Sequence, residues 1–179
     1  HQPHKIRKVF YALGMADKDC LKCHERRDIV SSKDGHSLFV EESDLAYSMH
    51  SKTSCSQCHS GVNVSHRRPC ETLVRKVDCS SCHAEVGQQY QKSMHGQLVS
   101  NNDPNGPTCK ECHGTHSVKG KKDPKSVTFA TNIPDLCARC HREGQKAAAR
   151  YTGTEHKIIE RYTESIHGKG LLKSGLTVT

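Results

Sequence analysis

This chain of 179 residues is only 33% hydrophobic, with no Trp and three Phe, against roughly 45–50% (Gly included) in an ordinary globular domain, so its own side chains cannot build a conventional core. The formal charge of +8 raises nucleic acid or an anionic membrane as partners, but neither a nucleic-acid-binding motif nor an aromatic stacking platform accompanies it. No apolar stretch approaches the ~20 residues of a membrane span.

Residues 1–19 read as a basic arm with a short apolar run from Val9 to Leu13. The pentapeptide Cys20-Leu-Lys-Cys23-His24 follows, and the same Cys-x-x-Cys-His pattern recurs at Cys55-Ser-Gln-Cys58-His59, Cys79-Ser-Ser-Cys82-His83, Cys109-Lys-Glu-Cys112-His113 and Cys137-Ala-Arg-Cys140-His141. This is the attachment signal for c-type haem. Two thiols three residues apart lie on one side of a helical turn, where they reach the two vinyl groups of one porphyrin, and the next residue aims an imidazole at the iron. A zinc site would need paired Cys-x-x-Cys units or a separate His pair, with no His required after every second Cys. A thioredoxin-like centre would need one Cys-x-x-Cys opening a helix in an alternating strand and helix pattern, which the sequence lacks. Five covalent haems are therefore expected. They also answer the shortage of apolar residues, since each porphyrin offers a flat apolar surface and two anchors.

Of the 14 His, five belong to the motifs, and each iron needs a second ligand. A repeat picks out three candidates: Leu45-x-x-Ser48-Met49-His50-Ser51, Tyr90-x-x-Ser93-Met94-His95-Gly96 and Tyr162-x-x-Ser165-Ile166-His167-Gly168. Each places apolar residues four apart on an expected helix and a His at its end, with Gly or Ser as the stop. His66 lies on a segment that Pro69 keeps extended. His116 follows His113 by three residues, and Gly114 allows a tight turn that points the two imidazoles at adjacent irons. Distal ligands are thus expected at His50, His66, His95, His116 and His167, with His36, His156, His1 and His4 as reserves. Met49 and Met94 neighbour two of these His, but successive residues on a helix point about 100° apart. Their expected role is packing on porphyrin, and the haems are expected to be bis-His, low-spin and of low potential.

Cys70 matches no motif and reads as a half-buried structural thiol, the alternative being a reactive thiol activated by Arg67 and Arg68. Pro and Gly mark loops at Asn101 to Pro107 and Val118 to Pro124. Residues 143–167 form the best predicted helix, with Ala147, Tyr151, Ile158, Ile159, Tyr162 and Ile166 on recurrent positions and Gly153 as a possible break. No strand is evident. The expected fold is mostly α with long loops and little or no sheet, one multihaem domain over 1–179 with motifs at 20–141. The basic pairs Arg26-Arg27 and Arg67-Arg68 and the run Lys119 to Lys125 read as propionate partners and solvated loop faces, since the propionates of five haems outweigh the +8.

With these motifs and His-bearing repeats, residues 20 to 167 resemble the multihaem c-type cytochromes of respiring bacteria. The resemblance implies a fold ordered by haem packing, with neighbouring porphyrins in close contact, and electron transfer between a quinol-linked donor and a periplasmic or extracellular acceptor. Expected partners are a quinol dehydrogenase or other cytochromes. Self-assembly is a further possibility, with no nucleic acid and no transmembrane segment. Haem c is attached outside the cytoplasm, so a periplasmic or extracellular location is expected, with His1 following a removed secretion signal. Two other classes compete with a carrier: a conductive filament with His ligation across subunits, and a reductase of nitrite, hydroxylamine or a sulfur oxyanion working at an open haem. The third repeat sharpens the choice, because only 12 residues follow His167. A longer cytochrome, a fold back onto one of the five haems, or a haem in a neighbouring subunit would each account for it. The dependence on porphyrin has a direct test: the haem-free chain should show little stable secondary structure by circular dichroism, whereas the holoprotein should be well folded.

Overall fold

The computed structural model describes residues 16–60 and 76–175. Residues 1–15 of the basic arm, with His1 and His4, and His66, Arg67, Arg68 and Cys70 lie outside them, while the last residues read as arm already belong to the first helix. The described residues form short helices joined by loops: α1 (Asp17–His24), α2 (Glu42–Ala46), α3 (Cys55–Cys58), α4 (Ala84–Lys92), α5 (Met94–Ser100), α6 (Cys109–His113), α7 (Ile133–His141), α8 (Ile158–Glu164) and α9 (Ile166–Ser174), with 3-10 turns at Cys79–Ser81, Ala130–Asn132 and Ala148–Arg150. Among these residues there is no sheet; one isolated antiparallel bridge joins Val30 to Ser37. The mostly α expectation holds. No helix is long and apolar enough to cross a membrane among the described residues.

Local chemistry explains where several helices start. Ser54, Asp78 and Thr108 each stand directly before the first Cys of a motif. The Ser54 N–H donates to Gln57 Oε1 at 2.9 Å and the Thr108 N–H to Glu111 Oε2 at 2.7 Å, the reach-back half of a capping box. Asp78 Oδ1 accepts from the Ser80 N–H at 2.9 Å. α1 carries Asp17 and Asp19 in its first turn and Lys22 and His24 in its last, the charge order that complements a helix dipole.

Backbone contacts gather the chain into two units, His1–Tyr90 and Gln91–Thr179. In the first, α1 packs on α3, and Asp17 Oδ1 accepts from the Cys55 N–H at 2.8 Å. In the second, α7 packs on α8 and α8 on α9. A salt bridge at 2.7 Å ties Arg150 to Asp103.

Among the described residues the buried hydrophobic side chains are Ala138, Ile159 and Leu171, fewer than the five buried serines, and no large side chain is fully buried. Helices of nine residues or fewer are marginal on their own, since isolated helices shorter than ~12–15 residues scarcely form in water. Large hydrophobic side chains instead face outward, including Tyr47, Met49, Val86, Met94 and Ile166.

Two expectations need correction. The helix predicted over 143–167 is not continuous: Ala148–Arg150 is a single 3-10 turn, Tyr151 is extended (φ −80°, ψ 123°), and helix resumes only at Ile158. The apolar spacing there reflects contacts made by separate short elements. Nor does the His of the second and third repeats end a helix. Ser93 and Ser165 are extended (ψ 162° and 165°), and their side chains accept from the Gly96 and Gly168 N–H groups, so His95 and His167 are the second residues of α5 and α9. A serine oxygen satisfying an orphan N–H three residues on starts a helix, and this outweighs the glycine read as a stop.

Gly168 is required for a different reason. A Cβ there would strike the Tyr162 carbonyl oxygen and come within 2.7 Å of Thr163 Cα, because α9 turns back sharply on α8. Gly168→Ala should cost the holoprotein about 1–3 kcal/mol, the usual range for overpacking, measured by denaturant unfolding against Gly175→Ala as a control for helix-end effects.

Candidate functional site

All five pentapeptides fall on helical turns: within α1 and α7, and opening α3, the Cys79–Ser81 turn and α6. Each thus puts its two thiols on neighbouring positions of one helical face.

Two of the motif histidines face a histidine of the Ser-x-His repeats. The His50 and His83 ring centroids are 6.0 Å apart with planes at 66°. Those of His95 and His141 are also 6.0 Å apart, with planes at 44°. An imidazole nitrogen lies ~2 Å from a transition-metal ion that it ligates, so two imidazoles on opposite sides of one iron have ring centres about 6 Å apart. Edge-to-face packing of rings covers roughly 4.5–7 Å, so distance alone does not separate the two. The pattern does more: both pairs join a repeat His to a motif His, with the same separation and with one intervening motif skipped.

The first motif histidine has a different partner. His24 Nδ1 stands 2.8 Å from the Leu38 carbonyl oxygen, an acceptor, so the ring carries its proton on Nδ1 and leaves Nε2 as the lone-pair nitrogen. Metal-bound imidazoles are oriented in this way by a carbonyl or carboxylate on the far nitrogen. No sequence signal pointed to Leu38. The loop returns it because the Leu38 N–H donates to Ile29 O at 3.0 Å and the Val40 N–H to His24 O at 2.6 Å.

The motifs also approach one another within each unit. The Cys55 thiol is pushed up to about 12, by burial first and then by the Asp17 carboxylate, and it is in hydrogen-bonding contact with Asp17 and with Cys20 of the first motif. Burial raises the Cys58 thiol, with Cys82 of the third motif the next cause. Burial likewise raises Cys112, followed by Cys137, Glu111 and Cys140, which sets the fourth and fifth motifs side by side.

The remaining candidates are placed as follows. His36 Nδ1 contacts Asp34 Oδ1 at 2.5 Å on an exposed loop; hydrogen bonds from Ser31 and then His36 hold the Asp34 carboxyl down at about 2. His156 meets the Tyr151 ring edge-on at 5.9 Å beside a cavity of about 340 Å³ lined by His141, Arg150, Tyr151 and Ile158 among others. Gly114 takes φ +77°, the turn expected between His113 and His116. His167 is exposed. Arg26 pairs with Asp28 at 2.6 Å; Arg27 pairs with Glu41 at 2.9 Å and lies 4.5 Å over the Phe39 ring centroid, so this basic pair meets carboxylates of its own loop.

The chain's donor set fits haem c. The thiols share helical faces, the imidazole pairs leave room for one metal ion between them, and the residue before each repeat His is an exposed hydrophobic: Met49 at 69%, Met94 at 72% and Ile166 at 88%. A porphyrin between the imidazoles would cover such side chains. Among the described residues no three His, Cys, Asp or Glu side chains gather as a metal cage, and an iron whose in-plane ligands come from porphyrin asks only two axial donors of the protein.

A family model described as a doubled CXXCH motif matches residues 99–146, which hold the fourth and fifth pentapeptides. No curated protein and no solved structure matches the chain. The match identifies a covalent haem c-binding element of the kind used by electron-transfer cytochromes. Replacing Cys137 and Cys140 together by Ser should lower covalent haem by one equivalent per chain in the pyridine haemochrome assay, with the other attachments retained.

Proposed function

We propose that this chain is a multihaem electron-transfer protein. It carries five covalent c-type haems, at Cys20/Cys23, Cys55/Cys58, Cys79/Cys82, Cys109/Cys112 and Cys137/Cys140. His24, His59, His83, His113 and His141 are the proximal ligands, and His50, His66, His95, His116 and His167 the distal ones. The observation that carries the reading is the pair of 6.0 Å imidazole separations, His50–His83 and His95–His141. Bound at these sites, haem supplies a one-electron iron couple whose potential follows from its axial ligands.

The residues determine what that couple does. With an imidazole on each face, a haem held here would have no coordination site left for a substrate, and its function would be outer-sphere electron exchange. His50 and His95 each close a site whose attachment motif lies two motifs further along, stapling distant segments around one cofactor. The sequence of thiol neighbours, first to second to third motif in one unit and fourth to fifth in the other, supports haems close enough to pass electrons in series. The donor is a quinol-linked protein, the acceptor periplasmic or extracellular, and the chain works outside the cytoplasm where haem c is attached.

A filament subunit that shares ligands with its neighbour is the second reading, favoured by the exposure of His167 and Ile166. An open-haem reductase is the competing chemistry, and carbon monoxide distinguishes it. The native holoprotein should bind no carbon monoxide, while His50→Ala and His95→Ala should each open one high-spin haem and take up one equivalent per chain. Uptake by the native protein would favour the reductase, and no uptake by the two variants would remove the distal-ligand assignment.

A further inference from the structure

Asp17 opens α1 three residues before Cys20, so the two side chains share a helical face. Its Oδ1 accepts from the Cys55 N–H at 2.8 Å, across 38 residues of chain, where α1 packs on α3. The Cys55 Sγ is in hydrogen-bonding contact with both Asp17 and Cys20. Behind burial and Cys82, the same carboxylate also acts on Cys58. One half-buried acid thus stands at the junction of the first and second attachment turns.

Other acids near the motifs are used differently. Asp19, two residues on, pairs with Lys22 at 2.8 Å and its side chain is 41% exposed, so a cation and water both screen it. In the second unit Glu111, beside Cys112, accepts from the Thr108 N–H of its own turn at 2.7 Å and has Lys110 Nζ at 3.7 Å. Asp17 pairs with no Lys, Arg or His among the described residues. With haem attached at both motifs, the Cys20 and Cys55 sulfurs are thioethers with no proton to donate, and the Cys55 N–H is the hydrogen bond that persists. A half-buried charge without a counter-ion interacts with its surroundings more strongly than one in water. Reduction takes a positive charge from a haem iron, so a neighbouring carboxylate favours the ferric state and lowers the potential.

We propose that Asp17 is a positioning residue shared by the first two haems: it docks the second attachment turn on the first helix and holds both irons at a lower potential than an uncharged residue would. This rests on the reading of the first two motifs as haem c sites.

The test uses the holoprotein. Redox titration followed by NMR of the haem methyl signals assigns each midpoint to its haem, and the Soret circular dichroism couplet reports the contact between neighbouring porphyrins. Asp17→Asn keeps an oxygen for the Cys55 N–H and removes the charge. It should raise the midpoints of the first and second haems, leave the fourth and fifth where they are, and preserve the couplet. Asp17→Ala should raise the same two midpoints and weaken the couplet, while Asp19→Asn should move neither midpoint by a comparable amount. An unmoved midpoint at either haem in Asp17→Asn, an equal rise in Asp19→Asn, or a native couplet in Asp17→Ala would overturn the assignment. Where Asp17→Asn does not retain its haems, Asp17→Ser, with a smaller uncharged acceptor, carries the same expectation; loss of haem from both would make Asp17 a folding residue only and also overturn it. Peptide mass spectrometry of the native protein keeps the underlying reading separate, since absence of haem on Cys20/Cys23 or Cys55/Cys58 removes that reading whatever the Asp17 variants do.

Discussion

The whole arrangement depends on a shortage of buried apolar surface. Three buried hydrophobic side chains among the described residues do not hold a set of short helices together, because burial of apolar area is the main favourable term in folding. Fixing a residue's backbone costs ~1–2 kcal/mol in conformational entropy, and in the proposed ligation two thioether anchors with two axial nitrogens per cofactor would offset part of that cost by tying the chain to a rigid plate. The outward-facing Tyr47, Met49, Val86, Met94 and Ile166 fit a chain whose core is supplied by its ligand.

In the proposed ligation the axial histidines would also organise the loops. A distal His drawn from the motif-adjacent segment would close a short local ring around each haem. Drawing it across a skipped motif interleaves the segments, so that two attachment turns are bracketed by each crossing. The loop from His24 to Val40, which brings the Leu38 carbonyl to the first imidazole, serves the same end on a smaller scale.

The cofactor signal was legible in sequence because it is a local pattern. Five pentapeptides of one pattern need no tertiary information, and the mostly α fold followed from the absence of strand patterning. The Ser-x-His repeats were legible as recurring elements, but their backbone was not: Gly96 and Gly168 read as stops, whereas the serines before them accept the N–H groups that begin new helices. The helix expected over 143–167 failed because apolar spacing in so polar a chain records contacts made one short element at a time, with no stripe facing a protein core. The His50–His83 and His95–His141 pairings joined residues far apart in sequence, and local spacing carries no information on which of several histidines crosses to which motif. His66 and Cys70 stand as the sequence left them, outside the described residues.

Ser165 closes α8 and opens α9 with a single residue. With no loop between the helices, the backbone that carries the imidazole two residues later is held by the caps of both. Electron exchange is fastest where nuclei need move least between oxidation states, and rigid support for the ligand shell is how a protein limits that movement. If His167 ligates iron as proposed, the serine elbow would be a device for low reorganisation: a side chain that starts a helix would also limit how far the ligand must move when the metal gains or loses an electron.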